Sequence, residues 1–115
     1  KPVDIPGNTK FDIIICDAPC TGSGTWSRTP EQLYFFNQSS VDEFAALQKT
    51  IASNAIPHLK KNGLFFYITC SVFKKENESV ANYLQQEFKL ELMQINNLWG
   101  YQKKADSMFV AVFKN

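Results

Sequence analysis

No stretch of this 115-residue chain approaches the roughly 20 consecutive apolar residues that a membrane-spanning helix needs, so no membrane partner is expected. Cysteine is scarce. Cys16, Cys20 and Cys70 make an odd set without tight spacing, which argues against a secreted disulfide scaffold and for reduced thiols in a cytoplasmic protein. Charge of one sign is also lacking, the formal net charge being +1. A protein that held RNA alone through phosphate contacts would be more basic. If RNA is the substrate, much of its binding surface therefore lies elsewhere. The opening Lys1 to Lys10 has no apolar core of a signal peptide and reads as a chain entered in mid-domain. There is no internal repeat or low-complexity segment. What is present, 44% hydrophobic residues over 115 positions, describes one small globular domain with a limited core.

The pattern along the chain is α/β. Phe11-Asp12-Ile13-Ile14-Ile15-Cys16 does not alternate and predicts a strand covered on both faces. Asp17 to Pro30 is rich in Gly, Pro, Ser and Thr and predicts a loop, with a short helical turn over Pro30 to Phe36. Ser40-Val41-Asp42-Glu43 has the form of a capping box, Ser40 capping and Glu43 reaching back. The helix it opens places Phe44, Leu47, Ile51, Ala55 and Leu59 on one face. Pro57 is expected to kink its last turn and Asn62-Gly63 to stop it. Leu64 to Thr69 predicts a second strand buried on both faces. Glu76 to Glu87 predicts a helix with Val80, Tyr83 and Leu84 inward and Glu76 and Glu78 suiting its dipole. Lys89 to Ile95 and Ser107 to Phe113 predict two further strands, separated by a long loop containing Trp99, Gly100 and Tyr101. Strands joined through helices are parallel, and the last two, joined without one, are expected to be antiparallel. The fold class is half of a doubly wound sheet.

Ligands in such sheets gather beyond the carboxyl ends of the strands. Two loops start there, one carrying Asp17-Ala18-Pro19-Cys20-Thr21-Gly22-Ser23-Gly24 and the other Thr69-Cys70-Ser71. If their strands are neighbours, Cys20 and Cys70 share one rim. Cys16, inside its strand, reads as a small buried hydrophobe. Zinc held by the cysteines and His58 is disfavoured, because the Cys16–Cys20 gap is too long for a short knuckle and Cys16 turns inward. His58 reads as a surface or cap residue. Gly22-Ser23-Gly24 lacks the lysine and spacing of a phosphate loop. Asp17 is either a turn cap or a carboxylate aimed at a base edge or cofactor. Asp-Ala-Pro followed by an aromatic would indicate methylation of an amino group; Cys20 in that place favours a thiol-dependent reaction.

Asp17 to Gly24 resembles motif IV of the RNA cytosine-5 methyltransferases of the ribosomal small-subunit methyltransferase B (Sun, nucleolar-protein) type. Tyr67-Ile68-Thr69-Cys70-Ser71, with the following Glu76-Asn77-Glu78, resembles motif VI. Arg28-Thr29-Pro30-Glu31 is similar to the family's basic-x-Pro-acid segment. The family's last strand usually opens Asp-Gly-Phe-Phe, whereas this chain has Asp106-Ser107-Met108-Phe109.

The resemblance implies a Rossmann-like, S-adenosylmethionine-dependent fold and methylation of C5 of cytosine in RNA, by default ribosomal RNA. Cys70 would attack C6 of cytosine and Cys20 would help release the product. Asp17 would contact the base, the cofactor or both, Pro19 would shape the loop, and Arg28 is a candidate for substrate phosphate. The target base would be unstacked or single-stranded. The family's Gly-rich turn and the acidic residue that grips ribose have no counterpart here. Residues 1–115 therefore read as a partial catalytic domain, expected to bind S-adenosylmethionine weakly alone and to self-associate through the exposed edge of Phe11 to Cys16. Two rivals stand beside this reading. One is a non-catalytic RNA-binding or assembly module, which would need neither thiol. The other is a DNA cytosine-5 methyltransferase, which would use a Pro-Cys nucleophile and not a Thr-Cys-Ser strand exit.

Overall fold

The computed structural model describes residues 9–26, 31, 36–98 and 107–115. The elements, in order, are β1 (Phe11–Asp17), α1 (Ser39–Ala55), β2 (Leu59–Thr69), α2 (Glu78–Phe88), β3 (Glu91–Leu98) and β4 (Met108–Lys114). Single 3-10 turns cover Ser23–Thr25 and Ile56–His58. The sheet order is β1-β2-β4-β3. β1 and β2 are parallel, and β4 runs antiparallel to both β2 and β3. The mixed α/β class and the antiparallel final pair agree with the sequence pattern. The insertion of β4 between β2 and β3 is new: nothing in β4's own sequence distinguishes an inner from an outer position.

Both helices lie on one face. Ala45, Ala52, Val80 and Leu84 pack against Phe65, Tyr67, Phe109, Ala111 and Phe113 in a single buried cluster. Successive strand residues face opposite ways, so the alternate residues form the second face. There Ile13 and Ile15 are 57% and 65% exposed, and Leu64, Phe66, Ile68, Val110 and Val112 are half-buried. The expectation that β1 and β2 are covered on both faces is thus corrected. Their continuous apolar runs have one face under the helices and the other open.

Several local expectations are also corrected. α1 begins at Ser39 without a side-chain cap from Ser40. Asn37 lies one turn earlier, and its Oδ1 accepts from the Ser39 backbone N–H and hydroxyl at 3.0 Å each. Ser40 donates instead to the Asn37 carbonyl, and Glu43 is exposed. The buried stripe of α1 is Val41, Ala45, Gln48 and Ala52, with Leu47 43% exposed. Small alanines let the helix approach the sheet closely, and Gln48 is drawn inward by polar partners described below. The helix ends at Ala55, because Pro57 has no N–H to continue it and sits in the 3-10 turn. Asn62-Gly63 is not a helix stop but an irregularity inside β2, where the pairing jumps from Phe11↔Leu59 to Ile13↔Leu64. Asn62 takes the left-handed φ of 67° that asparagine tolerates. A Cβ on Gly63 would lie 2.8 Å from the Lys60 carbonyl and 2.9 Å from that of Asp12. At the other helix, Glu76 and Asn77 precede α2 and turn inward.

Candidate active site

β1 and β2 run side by side with Asp17 opposite Ile68, so their carboxyl ends open on the same rim. The loop leaving β1 first extends the ladder, Ala18 N–H donating to the Ile68 carbonyl at 3.0 Å. It then crosses the exit of β2. Gly24 N–H donates to the Cys70 carbonyl at 2.7 Å, and the Gly24 carbonyl accepts from Ser107 N–H at 2.8 Å. Only glycine fits that crossing, since a Cβ would lie 2.1 Å from the Ser107 carbonyl and 2.8 Å from that of Cys70. Gly22 opens the turn with a left-handed φ of 75°. The Gly-Ser-Gly segment is therefore a stitch between two strand exits.

Below this crossing lies a buried polar network centred on Glu76, whose side chain is fully buried. One carboxylate oxygen, Oε1, accepts from Thr21 N–H at 2.8 Å and from Gln48 Nε2 at 3.1 Å. The other, Oε2, accepts from the Thr21 hydroxyl at 2.8 Å and from the Ser71 hydroxyl. The Ser23 hydroxyl lies 3.2 Å from that of Ser71 and accepts from Val72 N–H at 2.8 Å. Because the Ser71 proton is committed to Glu76, Ser23 is the donor in that pair. Tyr67 O–H donates to the Glu76 carbonyl at 2.6 Å. Thr69 donates to Asn77 Oδ1 at 2.5 Å, and Asn77 Nδ2 donates to the Ser71 carbonyl at 2.8 Å. A buried charge is tolerated only with such saturation by donors.

On this frame sit Cys20 and Cys70, both half-buried and neither in a disulfide. Burial pushes the Cys20 thiol up. Backbone hydrogen bonds from Gly22 and Cys70 oppose that, and the charges of Glu76 and Cys70 add to it. The two thiols thus lie within each other's field at the rim. Cys16 is different: it is buried in the core beneath, and desolvation, with the charge of Asp17 second, pushes it up to about 11.

The family model of the 16S rRNA methyltransferases RsmB/F matches residues 1–114. The chain belongs to this family. It is 38% identical over 92 residues to the ribosomal RNA small subunit methyltransferase B of Serratia proteamaculans, covering 79% of this chain and 21% of that one. Against the corresponding methyltransferase F of Psychromonas ingrahamii it is 32% identical over 102 residues, covering 87% and 21%. The chain thus spans about a fifth of the length of these curated relatives. A methyltransferase homologue from Pyrococcus horikoshii superposes with a TM-score of 0.80 at 25% identity, over 94% of this chain and 40% of that one. NSun6 from the same organism, solved with SFG, superposes with a TM-score of 0.83 at 20% identity, over 99% and 34%. The four-stranded sheet is accordingly part of the Rossmann-like fold of S-adenosylmethionine-dependent methyltransferases.

Within this RsmB/F frame the residues singled out from sequence distribute unevenly. Cys20 and Cys70 come together. Asp17 is exposed at the end of β1, and Pro19 is exposed with its carbonyl accepting from Gln48 Nε2 at 2.9 Å. Arg28 lies outside the described residues, as do Trp99, Gly100, Tyr101 and Asp106; Glu31 is exposed. His58 is half-buried, with Nδ1 3.0 Å from the Thr9 carbonyl. Among the described residues no three His, Cys, Asp or Glu side chains are grouped to hold a metal, and no helix is long and apolar enough to cross a membrane. Sequence reasoning missed Gln48, and it placed Ser71 and Glu76 in motif VI without giving either a role in the site. Glu76 looked like a helix-dipole acid. The available hint was Gln48, a polar residue between the apolar positions of a helix stripe.

Proposed function

We propose that this chain carries the thiol chemistry of an S-adenosylmethionine-dependent RNA cytosine-5 methyltransferase acting on ribosomal RNA. The observation supporting it is the pair Cys20 and Cys70, at the exits of adjacent parallel strands on one rim. Cys70, as thiolate, attacks C6 of an unstacked cytosine. The ring electrons move toward C5, which is a poor nucleophile until C6 is saturated. When bound, the cofactor supplies the electrophilic methyl group that C5 takes up. The C5 proton then leaves to a base, the C5–C6 double bond re-forms, and the Cys70 sulfur departs as thiolate. Cys20 supports this last stage, because a thiol held at raised pKa yields a correspondingly basic thiolate. Asp17, an exposed carboxylate on the same rim, fits a ligand that presents amino or hydroxyl donors, as both the cofactor and cytosine do. Pro19 fixes the loop between them, and Arg28 takes substrate phosphate.

The same reading treats residues 1–115 as one part of a catalytic domain whose cofactor grip lies mostly in other sequence. It is tested by incubating the natural gene product with S-adenosylmethionine and ribosomal RNA tritiated at cytosine C5. Tritium release with formation of 5-methylcytidine is expected, both abolished by Cys70→Ala. Methylation without tritium release would remove the proposal.

A further inference from the structure

We propose that Glu76 is a positioning residue for the cysteine pair, its carboxylate clamping the residue that follows each thiol and so fixing the two thiol loops against each other. The inference rests on the functional reading above but draws on different atoms. Thr21 follows Cys20, and Ser71 follows Cys70. Glu76 holds both, through Thr21 N–H and hydroxyl at 2.8 Å each and through the Ser71 hydroxyl. Gly24 crosses at backbone level, Ser23 also accepts from Val72 N–H, and the Ser23–Ser71 contact ends on the same carboxylate. Gln48 fixes the clamp from the helix side. Its Nε2 donates to Glu76 Oε1 and to the Pro19 carbonyl, while its buried Oε1 has no hydrogen-bond partner among the described residues. The amide orientation is therefore set by those two acceptors. A generic core would fill this space with apolar side chains. A fully buried carboxylate with four donors, two from the Cys20 loop, one from the Cys70 loop and one from α1, is a costly arrangement that serves geometry.

The clamp has a second consequence. The titratable groups around Cys20 are Glu76, Cys70 and Tyr67, and the Glu76 charge helps to keep Cys20 protonated. Glu76→Gln separates the two effects. Its carbonyl oxygen still accepts from Thr21 N–H and Gln48, and its amide donates to the Thr21 and Ser71 hydroxyls, so the loops stay joined while the charge is lost. Glu76→Ala removes both.

The test uses the natural gene product, with kcat and KM for RNA, and alkylation of Cys20 and Cys70 by iodoacetamide followed across pH by peptide mass spectrometry. For Glu76→Gln, KM for RNA stays close to the parent, kcat falls far less than in Glu76→Ala, and Cys20 is alkylated at lower pH. For Glu76→Ala, kcat falls by about 100-fold, the scale of a 1 Å misplacement, with KM for RNA unchanged. Parental kcat in Glu76→Ala, equal losses in the two variants, or an unmoved Cys20 profile in Glu76→Gln would each overturn the clamp. Alkylation requires no methyl transfer. If Cys70→Ala kept its activity the functional reading would fall, while the clamp would still be judged on the alkylation profiles.

Discussion

Cys16, Cys20 and Cys70 carry the same side chain into three environments, and their depth separates their chemistry. Cys16, beneath the helices, has its thiol pushed up to about 11. Its folded value lies above the ordinary 9.0, so protonated Cys16 contributes stability that is complete below pH 9 and is lost as pH rises toward 11. Urea titrations should show stability falling over that window, and Cys16→Ala should flatten the fall. The remaining slope belongs to Cys20 and Tyr67, which burial also holds above their ordinary ranges. Cys20→Ala should let the covalent RNA adduct accumulate, visible as a band resistant to denaturation, because the step that expels Cys70 loses its support. Gly24→Ala places a methyl against two carbonyl oxygens. It should lower stability by about 1–3 kcal/mol, the usual cost of overpacking, measured by chemical denaturation.

At the scale of elements, the inward face of α1 is where sequence and structure parted. Periodicity alone selects Phe44, Leu47 and Ile51; Ile51 does pack against the core, but the buried positions are Val41, Ala45, Gln48 and Ala52. The rotation follows from partners a linear pattern does not contain: a carboxylate from the loop before α2 and a carbonyl from the loop after β1. Gln48→Leu should therefore destabilise by about 1–3 kcal/mol despite being apolar and buried, since Glu76 Oε1 loses one donor and the Pro19 carbonyl loses its own; thermal denaturation would register it. The strands were more legible. β-branched and aromatic runs located β1 and β4 to within one residue and β2 from Leu64 onward, missing its first five residues, and the missing helix before β4 set its direction. Asn62-Gly63 misled because the same pair that ends a helix also serves an irregular strand. The two cysteine loops were found because strand exits are where such sheets bind ligands. The clamp beneath them was not, since two of the three residues that hold Glu76 lie 28 and 55 positions away.

For the whole molecule, the open sheet face dominates. Ile13 and Ile15 stand exposed beside Leu64, Phe66, Ile68, Val110 and Val112, and among the described residues β1 is an outer strand with unpaired backbone on one side. Exposed apolar edges recruit other chains. The 115 residues in isolation should self-associate with rising concentration in sedimentation velocity, and Ile13→Lys with Ile15→Lys should return them toward monomer. A single sharp monomer at high concentration would contradict this. The account as a whole turns on one sulfur atom. The most direct measurement is a trap: the natural gene product with S-adenosylmethionine and RNA containing 5-fluorocytidine, whose C5 fluorine cannot leave as a proton does, followed by peptide mapping of the adduct. The account predicts a covalent RNA adduct on Cys70, absent in Cys70→Ala and present in Cys20→Ala. An adduct mapped to Cys20, or one that survives Cys70→Ala, would contradict it.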